Sequence, residues 1–275
     1  MKPAPFGYLR AGSVEEVTAA LNEHGAEARI LAGGQSLLPM LNMRLAKPAM
    51  LVDIMRIQAL GSIRAEADAI VIPAGVRQTV TMNHPGLAQD LPLLAAALPW
   101  VGHLQTRSRG TICGSVAHAD PSAEIPLCLV ALQGEVRLRT RRKARRVPAE
   151  TFFAGMMLTD KGDDEFIEAV AYPKRRPGEG YAFAEVGRRH GDFAIVACAA
   201  VVDGKRMRLA VAGVADRPTA QDWPLLEGSA LDDGLNEFAW SLGAGDDVHA
   251  TPRYRRDLVR KLGRKVLEEA AQCRR

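Results

Sequence analysis

Two short runs of small residues constrain this chain more than any other feature: Leu31-Ala32-Gly33-Gly34-Gln35-Ser36 and Gly110-Thr111-Ile112-Cys113-Gly114-Ser115. Each follows apolar, strand-like residues and opens into another element, the setting in which backbone N–H groups turn toward a bound anion. A pair of such loops suits a ligand with two phosphates. The first loop alone does not establish this. It lacks the Gly-Lys-Ser/Thr ending of a Walker loop and the Gly-x-Gly-x-x-Gly dinucleotide fingerprint, so an ordinary tight turn explains it equally well.

The flanking sequence reads as β-loop-α-β. Ser13 and Glu16 have capping-box spacing, and Val14, Val17 and Leu21 keep helical periodicity up to the stop signal Gly25, which predicts a helix over Ser13 to His24. A short buried strand follows over Ala28 to Ala32, then a mixed loop and helix over Ser36 to Leu45, then the apolar run Met50 to Ile54. Ala69 to Gln78 alternates as a strand does, and Leu91 to Trp100 reads as a buried helix ending near Gly102. After the second loop, Asp120-Pro121 predicts an N-cap and first turn, hence a helix over Pro121 to Leu132 with Glu124 near its start. Glu135 to Thr140 and Arg145 to Pro148 predict a hairpin around a basic turn. Pro173 to Gly180, rich in Pro, Gly, Lys and Arg, predicts a linker. Beyond it, Tyr181 to Val186, Ala194 to Val202 and Met207 to Val214 read as strands, the last two joined at Asp203-Gly204. Leu235 to Leu242 and Tyr254 to Ala271 read as helices, the latter with a stripe of Leu258, Leu262 and Val266.

With 275 residues and 47% hydrophobic content, the chain has room for two domains. Its 36 basic and 32 acidic residues leave a net charge of +4, too little to demand a nucleic-acid partner. The run Arg137, Arg139, Arg141, Arg142, Lys143, Arg145 and Arg146 has no interleaved aromatic residues, so a solvated hairpin is preferred to a single-strand-binding surface, with contact to a partner subunit second. Cys113, Cys128, Cys198 and Cys273 lie far apart, with no spacing for zinc or an iron–sulfur cluster, and read as reduced, mostly buried thiols. Met1 to Arg10 has no apolar signal region, and no run approaches the ~18 apolar residues of a membrane span. A soluble cytoplasmic protein is expected.

The segment Arg107-Ser108-Arg109-Gly110-Thr111-Ile112-Cys113-Gly114-Ser115-Val116-Ala117-His118-Ala119-Asp120-Pro121-Ser122-Ala123-Glu124 resembles the signature of the FAD-binding, or medium, subunit of the molybdenum hydroxylases, the family of carbon monoxide dehydrogenase and xanthine dehydrogenase. Ala32-Gly33-Gly34-Gln35-Ser36-Leu37-Leu38-Pro39 resembles the family's first loop. Phe152-Phe153-x-Gly155, Asp164-Glu165-Phe166-Ile167, Arg188 to Ala194 and Tyr254-Arg255-Arg256-x-Leu258 extend the likeness over nearly the whole chain.

The resemblance implies an α/β FAD-binding domain of the PCMH/VAO type, residues 1–176, made of two subdomains that grip the cofactor. A small α+β domain, residues 177–275, with a three-stranded antiparallel sheet and helices, follows. It implies that Ile30, Leu31, Ala32, Gly33, Gly34, Gln35, Ser36 and Leu37 wrap the FAD pyrophosphate and that Thr111, Ile112, Cys113, Gly114 and Ser115 form the second loop. Val101, His118, Glu124, Ile167, Asp192 and Phe193 complete the expected contacts. Molybdopterin and two [2Fe–2S] clusters would sit in a large and a small partner subunit, in a dimer of heterotrimers. Electrons would pass from a cluster through FAD to NAD, a quinone or oxygen, with no catalytic acid, nucleophile or metal ligand in this chain.

Three positions depart from the pattern. Cys113 replaces a glycine, and is strained if the position needs positive φ. Ala184-Glu185 stands where some relatives carry a lysine that reaches the cofactor. Phe193 often has tyrosine as its counterpart, and its ring either covers the flavin or packs in the core. A hydrolase built on Ser115, His118 and Asp120 is disfavoured, because no nucleophile elbow is present and the three lie too close in sequence. The remaining alternatives are a free-standing FAD-dependent oxidoreductase with its own substrate and an anion-binding protein using the basic run.

Overall fold

The computed structural model describes residues 2–274. The first layer is a parallel three-stranded sheet of β1 (Gly7–Arg10), β2 (Ala28–Leu31) and β3 (Met50–Asp53), with β3 in the centre. Helix α1 (Val14–His24) connects β1 to β2, and α2 (Leu37–Asn42) lies between β2 and β3. The Ser13 hydroxyl caps α1 by accepting from the Glu16 N–H at 3.2 Å, while the Glu16 carboxylate accepts from the Gly12 N–H at 2.8 Å. Strand β1 has no counterpart in the sequence reading: four residues with two prolines close before them give too short a pattern. Because all three strands are parallel, the Ala32 to Ser36 turn leaves the carboxyl edge of the sheet, where open α/β folds bind ligands.

The second layer is an antiparallel sheet in the order β4 (Arg64–Ala65), β5 (Ala69–Pro73), β10 (Phe166–Pro173), β6 (Glu135–Arg139) and β7 (Ala144–Pro148). Between β5 and β6 run six helices: α3 (Gln78–Met82), α4 (Leu87–Asp90), α5 (Pro92–Ala97), α6 (Leu104–Arg109), α7 (Ile112–His118) and α8 (Glu124–Ala131). Helix α9 (Ala149–Phe152) and the small hairpin β8 (Phe153–Gly155) and β9 (Leu158–Thr159) precede β10. Three expectations need correction here. The strand ends at Pro73, because Gln78 opens a helix. The helix expected from Pro121 begins at Glu124, because the Asp120 carboxylate accepts locally from the Ser122 N–H at 2.8 Å and Ala123 is the N-cap. The segment from Ile112 is the first turn of α7 rather than a loop, with Thr111 as its N-cap.

The basic hairpin is an ion-paired surface. Arg137 bonds both Glu66 oxygens at 2.6 and 2.7 Å, and Arg145 reaches Asp160 at 2.6 Å and Glu165 at 2.7 Å. Arg139 pairs with Glu168 at 3.5 Å and Arg146 with Glu135 at 3.5 Å.

The third layer is an antiparallel sheet of β11 (Gly180–Gly187), β12 (Ala194–Val202), β13 (Arg206–Ala212) and β14 (Thr219–Pro224), backed by α10 (Gly228–Ser241) and α11 (Pro252–Gln272). It has four strands, not the three expected; β14 is a half-exposed edge strand, Thr-Ala-Gln-Asp-Trp-Pro, without an apolar run. Helix α10 also starts earlier than its apolar stretch. The α11 stripe is wider than Leu258, Leu262 and Val266: Leu258, Val259, Val266, Leu267 and Ala270 are buried and Leu262 only partly so. Asp203 stabilises the expected turn by accepting from the Lys205 and Arg206 N–H groups at 2.7 and 2.8 Å.

The two faces of this sheet have different partners. Val196, Cys198, Leu209 and Val211 face α10 and α11, whereas Ala197, Ala199, Ala210 and Ala212 join the core built on the preceding helices. All residues of α8 are buried, and it packs on β12 and β13 across these alanines. At the rim, buried Arg208 on β13 bonds Glu150 on α9, Asp222 on β14 and the Val130 carbonyl. Substitution Arg208→Ala is expected to lower stability by about 1–3 kcal/mol. That is less than the loss of a fully buried pair, because the stranded Glu150 and Asp222 are 47% and 44% exposed and can hydrate. Chemical denaturation of wild type and variant measures it.

Candidate cofactor-binding site

The backbone brings the two glycine-bearing segments into contact. A methyl group on Gly33 would stand 2.3 Å from the Arg109 carbonyl oxygen and 2.7 Å from the Gly110 Cα, so only glycine permits this approach. Gly34 has φ +72°, the left-handed conformation that turns the chain from β2 into α2. The turn closes through the Leu38 N–H donating to the Gly34 carbonyl at 3.0 Å and the Gln35 amide donating to the Gly33 carbonyl at 3.3 Å. Ser36 occupies the N-cap position of α2 without capping it and is exposed, which leaves its hydroxyl free for a ligand.

The second segment is clamped from behind. The Gln78 N–H donates to the Gly110 carbonyl at 2.8 Å, the Ile112 N–H to the Val76 carbonyl at 3.3 Å, and Thr111 bridges to Arg77. The Thr111 hydroxyl accepts from the Gly114 N–H at 3.0 Å. Cys113 lies inside α7 with ordinary helical φ, 3% exposed, and its thiol donates to the Ile72 carbonyl at 3.3 Å. The strain considered from the sequence therefore does not arise. Burial pushes this thiol's pKa up and keeps it neutral. Ser115 is half-buried; His118 ends α7, half-buried, before Ala119 at φ +52°.

A third wall comes from the loop after α5. Arg107 donates from one guanidinium nitrogen to the carbonyls of Pro99 (3.3 Å), Val101 (2.9 Å) and Gly102 (2.8 Å), which fixes Val101 beside the second segment. The 188–193 segment docks on this loop: the Trp100 and His190 rings meet tilted at 59° with centroids 4.8 Å apart, and Gly191 backs onto the His103 ring and the Gly102 carbonyl. Asp192 pairs with Arg189 at 3.5 Å. Phe193 is 71% exposed, so its ring serves no core, and of the two roles weighed for it the packing role is excluded. Ile167 is buried on β10 opposite Leu138, in a strand that packs on α7 and in the same core as Ile112 and Cys113.

Glu124 opens α8 and Glu185 lies on β11 opposite Ala197 of β12, the strand on which α8 packs; they are 7% and 9% exposed and near enough for the charge of Glu124 to act on Glu185. Burial raises the Glu124 pKa to about 7, with the neighbouring Asp120 adding to the shift and Arg107 opposing it. Burial and then the Glu124 charge raise that of Glu185 to about 8.

Four buried side-chain polar atoms lack a partner among the described residues: Gln78 Oε1 lies behind Gly110 and Arg107 Nε just before it in sequence, while Glu185 Oε2 lies on β11 and Arg208 Nε on β13. Buried polar groups are rarely left unpaired, so the two at the second segment fit a site built for a polar ligand of FAD's kind. Gln78, Arg107 and Gly110 were not among the expected contacts. Arg107 and Gly110 fall inside the signature that pointed to the site, whereas Gln78 carries no signal in sequence. No cluster of metal-ligating residues occurs among the described residues.

Residues 4–175 match the family model of the FAD binding domain in molybdopterin dehydrogenase, and residues 181–270 that of the CO dehydrogenase flavoprotein C-terminal domain. The chain is 35% identical to the 6-hydroxypseudooxynicotine dehydrogenase complex subunit alpha of Paenarthrobacter nicotinovorans, over 98% of this chain and 96% of that protein. It is 36% identical to the carbon monoxide dehydrogenase medium chain of Hydrogenophaga pseudoflava, over 80% and 78% of the two chains. The structure superposes on carbon monoxide dehydrogenase from that organism with a TM-score of 0.93 at 30% identity, covering 99% of this chain and 100% of the other. On quinoline 2-oxidoreductase from Pseudomonas putida 86 the TM-score is 0.89 at 31% identity, covering 99% of both chains. With its FAD-binding domain and flavoprotein C-terminal domain, this chain belongs to the medium, FAD-binding subunits of the molybdenum hydroxylase family.

Proposed function

We propose that this chain is the electron-relay subunit of a molybdenum hydroxylase complex. In this reading it takes electrons from a [2Fe–2S] small subunit, while substrate is hydroxylated at molybdopterin in a large subunit, and passes them to an external acceptor. Residues 1–176 hold FAD, residues 177–275 close over it, and the three subunits assemble as a dimer of heterotrimers in the cytoplasm. The observation that carries the reading is the contact of Gly33 with Arg109 and Gly110, which makes one cradle of two segments far apart in sequence.

The Ile30 to Leu37 and Thr111 to Ser115 segments would hold the pyrophosphate through backbone N–H groups and the Ser36 hydroxyl, so no lysine is required. Arg107 would hold Val101 and the 99–102 loop in place, and Phe193, exposed at the docked 188–193 segment, would shield the ring system from water. Asp192, His118 and Glu124 complete the wall. When bound, FAD supplies the redox chemistry by accepting electrons singly and releasing them in pairs.

The purified chain is expected to show the absorption of oxidised flavin, as isolated or after adding FAD, and to co-purify with a molybdopterin-binding and an iron–sulfur subunit when tagged in its native cell. A colourless chain that gains neither absorbance nor thermal stability from FAD refutes the reading. Turnover of a small organic substrate by the chain alone would make it a free-standing oxidoreductase instead. Gly33→Ala pushes the two segments apart and is expected to weaken FAD binding more than about tenfold, a loss above about 1.4 kcal/mol, in equilibrium titration. Gly34→Asp sets a carboxylate against the phosphates and is expected to abolish binding while circular dichroism stays native.

A further inference from the structure

The seam beneath α8 holds two carboxyl groups and little to neutralise them. Glu124 is the first residue of α8, and Cys128, one turn on, shares its face. Glu185 shares a face of β11 with Tyr181 and Phe183, whose side chains join the core containing α8, and it lies opposite Ala197 of β12, which belongs to the same core. The Cys128 thiol, raised first by burial and then by both Glu124 and Glu185, marks the two carboxyls as neighbours across the seam. The other charged groups facing them are Asp120, which repels, and Arg107, whose guanidinium is already engaged by three carbonyls. Glu185 Oε2 has no partner among the described residues. Two like charges in so dry a place do not both persist, and one proton relieves the repulsion.

We propose that Glu124 and Glu185 share one proton and take up a second when FAD bound beside them is reduced, so that Glu185 makes this chain a site of proton-coupled electron storage. The inference rests on FAD lying against Glu124, as in the function proposed above. Two electrons come from the iron–sulfur donor. One proton bonds to the flavin, and a second forms an O–H on the remaining carboxylate of the pair, so the charge of the site is unchanged. Both protons come from water and leave with the electrons when the acceptor is reduced. A lysine at the Ala184-Glu185 position would balance the reduced flavin with a fixed positive charge; an acid pair balances it with a proton that must come and go.

The test uses the full FAD-loaded chain, reduced chemically in a dye-coupled titration, with Glu185→Gln as the variant. Between about pH 7 and about pH 8, where the pair holds one proton before reduction, the wild-type potential is expected to fall with a slope of two protons per two electrons, and that of the variant with a slope of one. The reduced-minus-oxidised infrared spectrum of the wild type should gain a protonated-carboxyl band that the variant lacks. Equal slopes and equal spectra overturn the inference. If the variant does not fold, the wild-type infrared spectrum decides alone, and absence of the band overturns it. Thermal unfolding reports on the pair without flavin. An acid whose pKa is raised in the folded state costs stability as pH climbs from its ordinary value of 4.5 through its folded value, so the wild-type Tm should drop between about pH 5 and about pH 9 more than that of E185Q. A chain that takes up no FAD overturns the functional reading together with this inference; a flavin-loaded chain with a one-proton slope overturns this inference only.

Discussion

Helix α8 leaves no side to solvent: α5 and α7 cover one flank, and the alanines of β12 and β13 receive the other. The alanines matter because their short side chains let a helix of Ile, Leu, Cys and Val come close to the sheet without a gap. This packing welds the third layer to the second, and it carries Glu124, at the head of α8, into a place from which water is excluded. The position of β11, and therefore of Glu185, follows from the same contact. Much of what is chemically unusual in the molecule is thus a consequence of where one apolar helix must go.

The seam handles charge in opposite ways at its two regions. Around β13 and β14 a buried cation, Arg208, is met by Glu150 and Asp222, acids from two other elements that keep nearly half of their surface in water. That arrangement joins three pieces of chain through one cation. At the head of α8 the acids are buried and the nearest cation is committed to carbonyl oxygens. Burying a carboxyl without a counter-charge shifts its protonation instead of its position, which is a poor way to stabilise a fold and a direct way to make a group titrate near neutral pH.

Much of this was legible in the sequence where the physics is local. The Ser13 and Glu16 capping pair, the hairpin of Glu135 to Arg139 with Ala144 to Pro148, and the turn at Asp203 all form as their residues dictate. Errors fell where one local bond outweighs another or where neighbours distant in sequence decide the element. Asp120-Pro121 looks like a helix start, yet the carboxylate is satisfied within its own turn and the helix waits for Glu124. Strands β1 and β14 are short or polar edge strands, visible only once their neighbours are placed. For the site, the two glycine-bearing segments announced themselves, but their mutual contact did not, because Gly33 and Gly110 meet only after β2 and α3 are set on adjoining layers. Gln78 was invisible for the same reason.

The three departures from the family pattern separate once the environment of each is known. Cys113 is absorbed without cost: the position is helical, the thiol finds the Ile72 carbonyl, and a small buried side chain is all the packing asks for. Phe193 forgoes a hydroxyl and stands at the surface of the docked segment, its ring outside any core. The Ala184-Glu185 position is different in kind, because it buries the Glu185 carboxyl beside another acid that is itself buried. A substitution that inverts charge in a polar surface loop alters little, since water screens it. An unpaired carboxyl beneath α8 must be answered by a proton, and a proton bound there is held or released according to what other charge enters the seam.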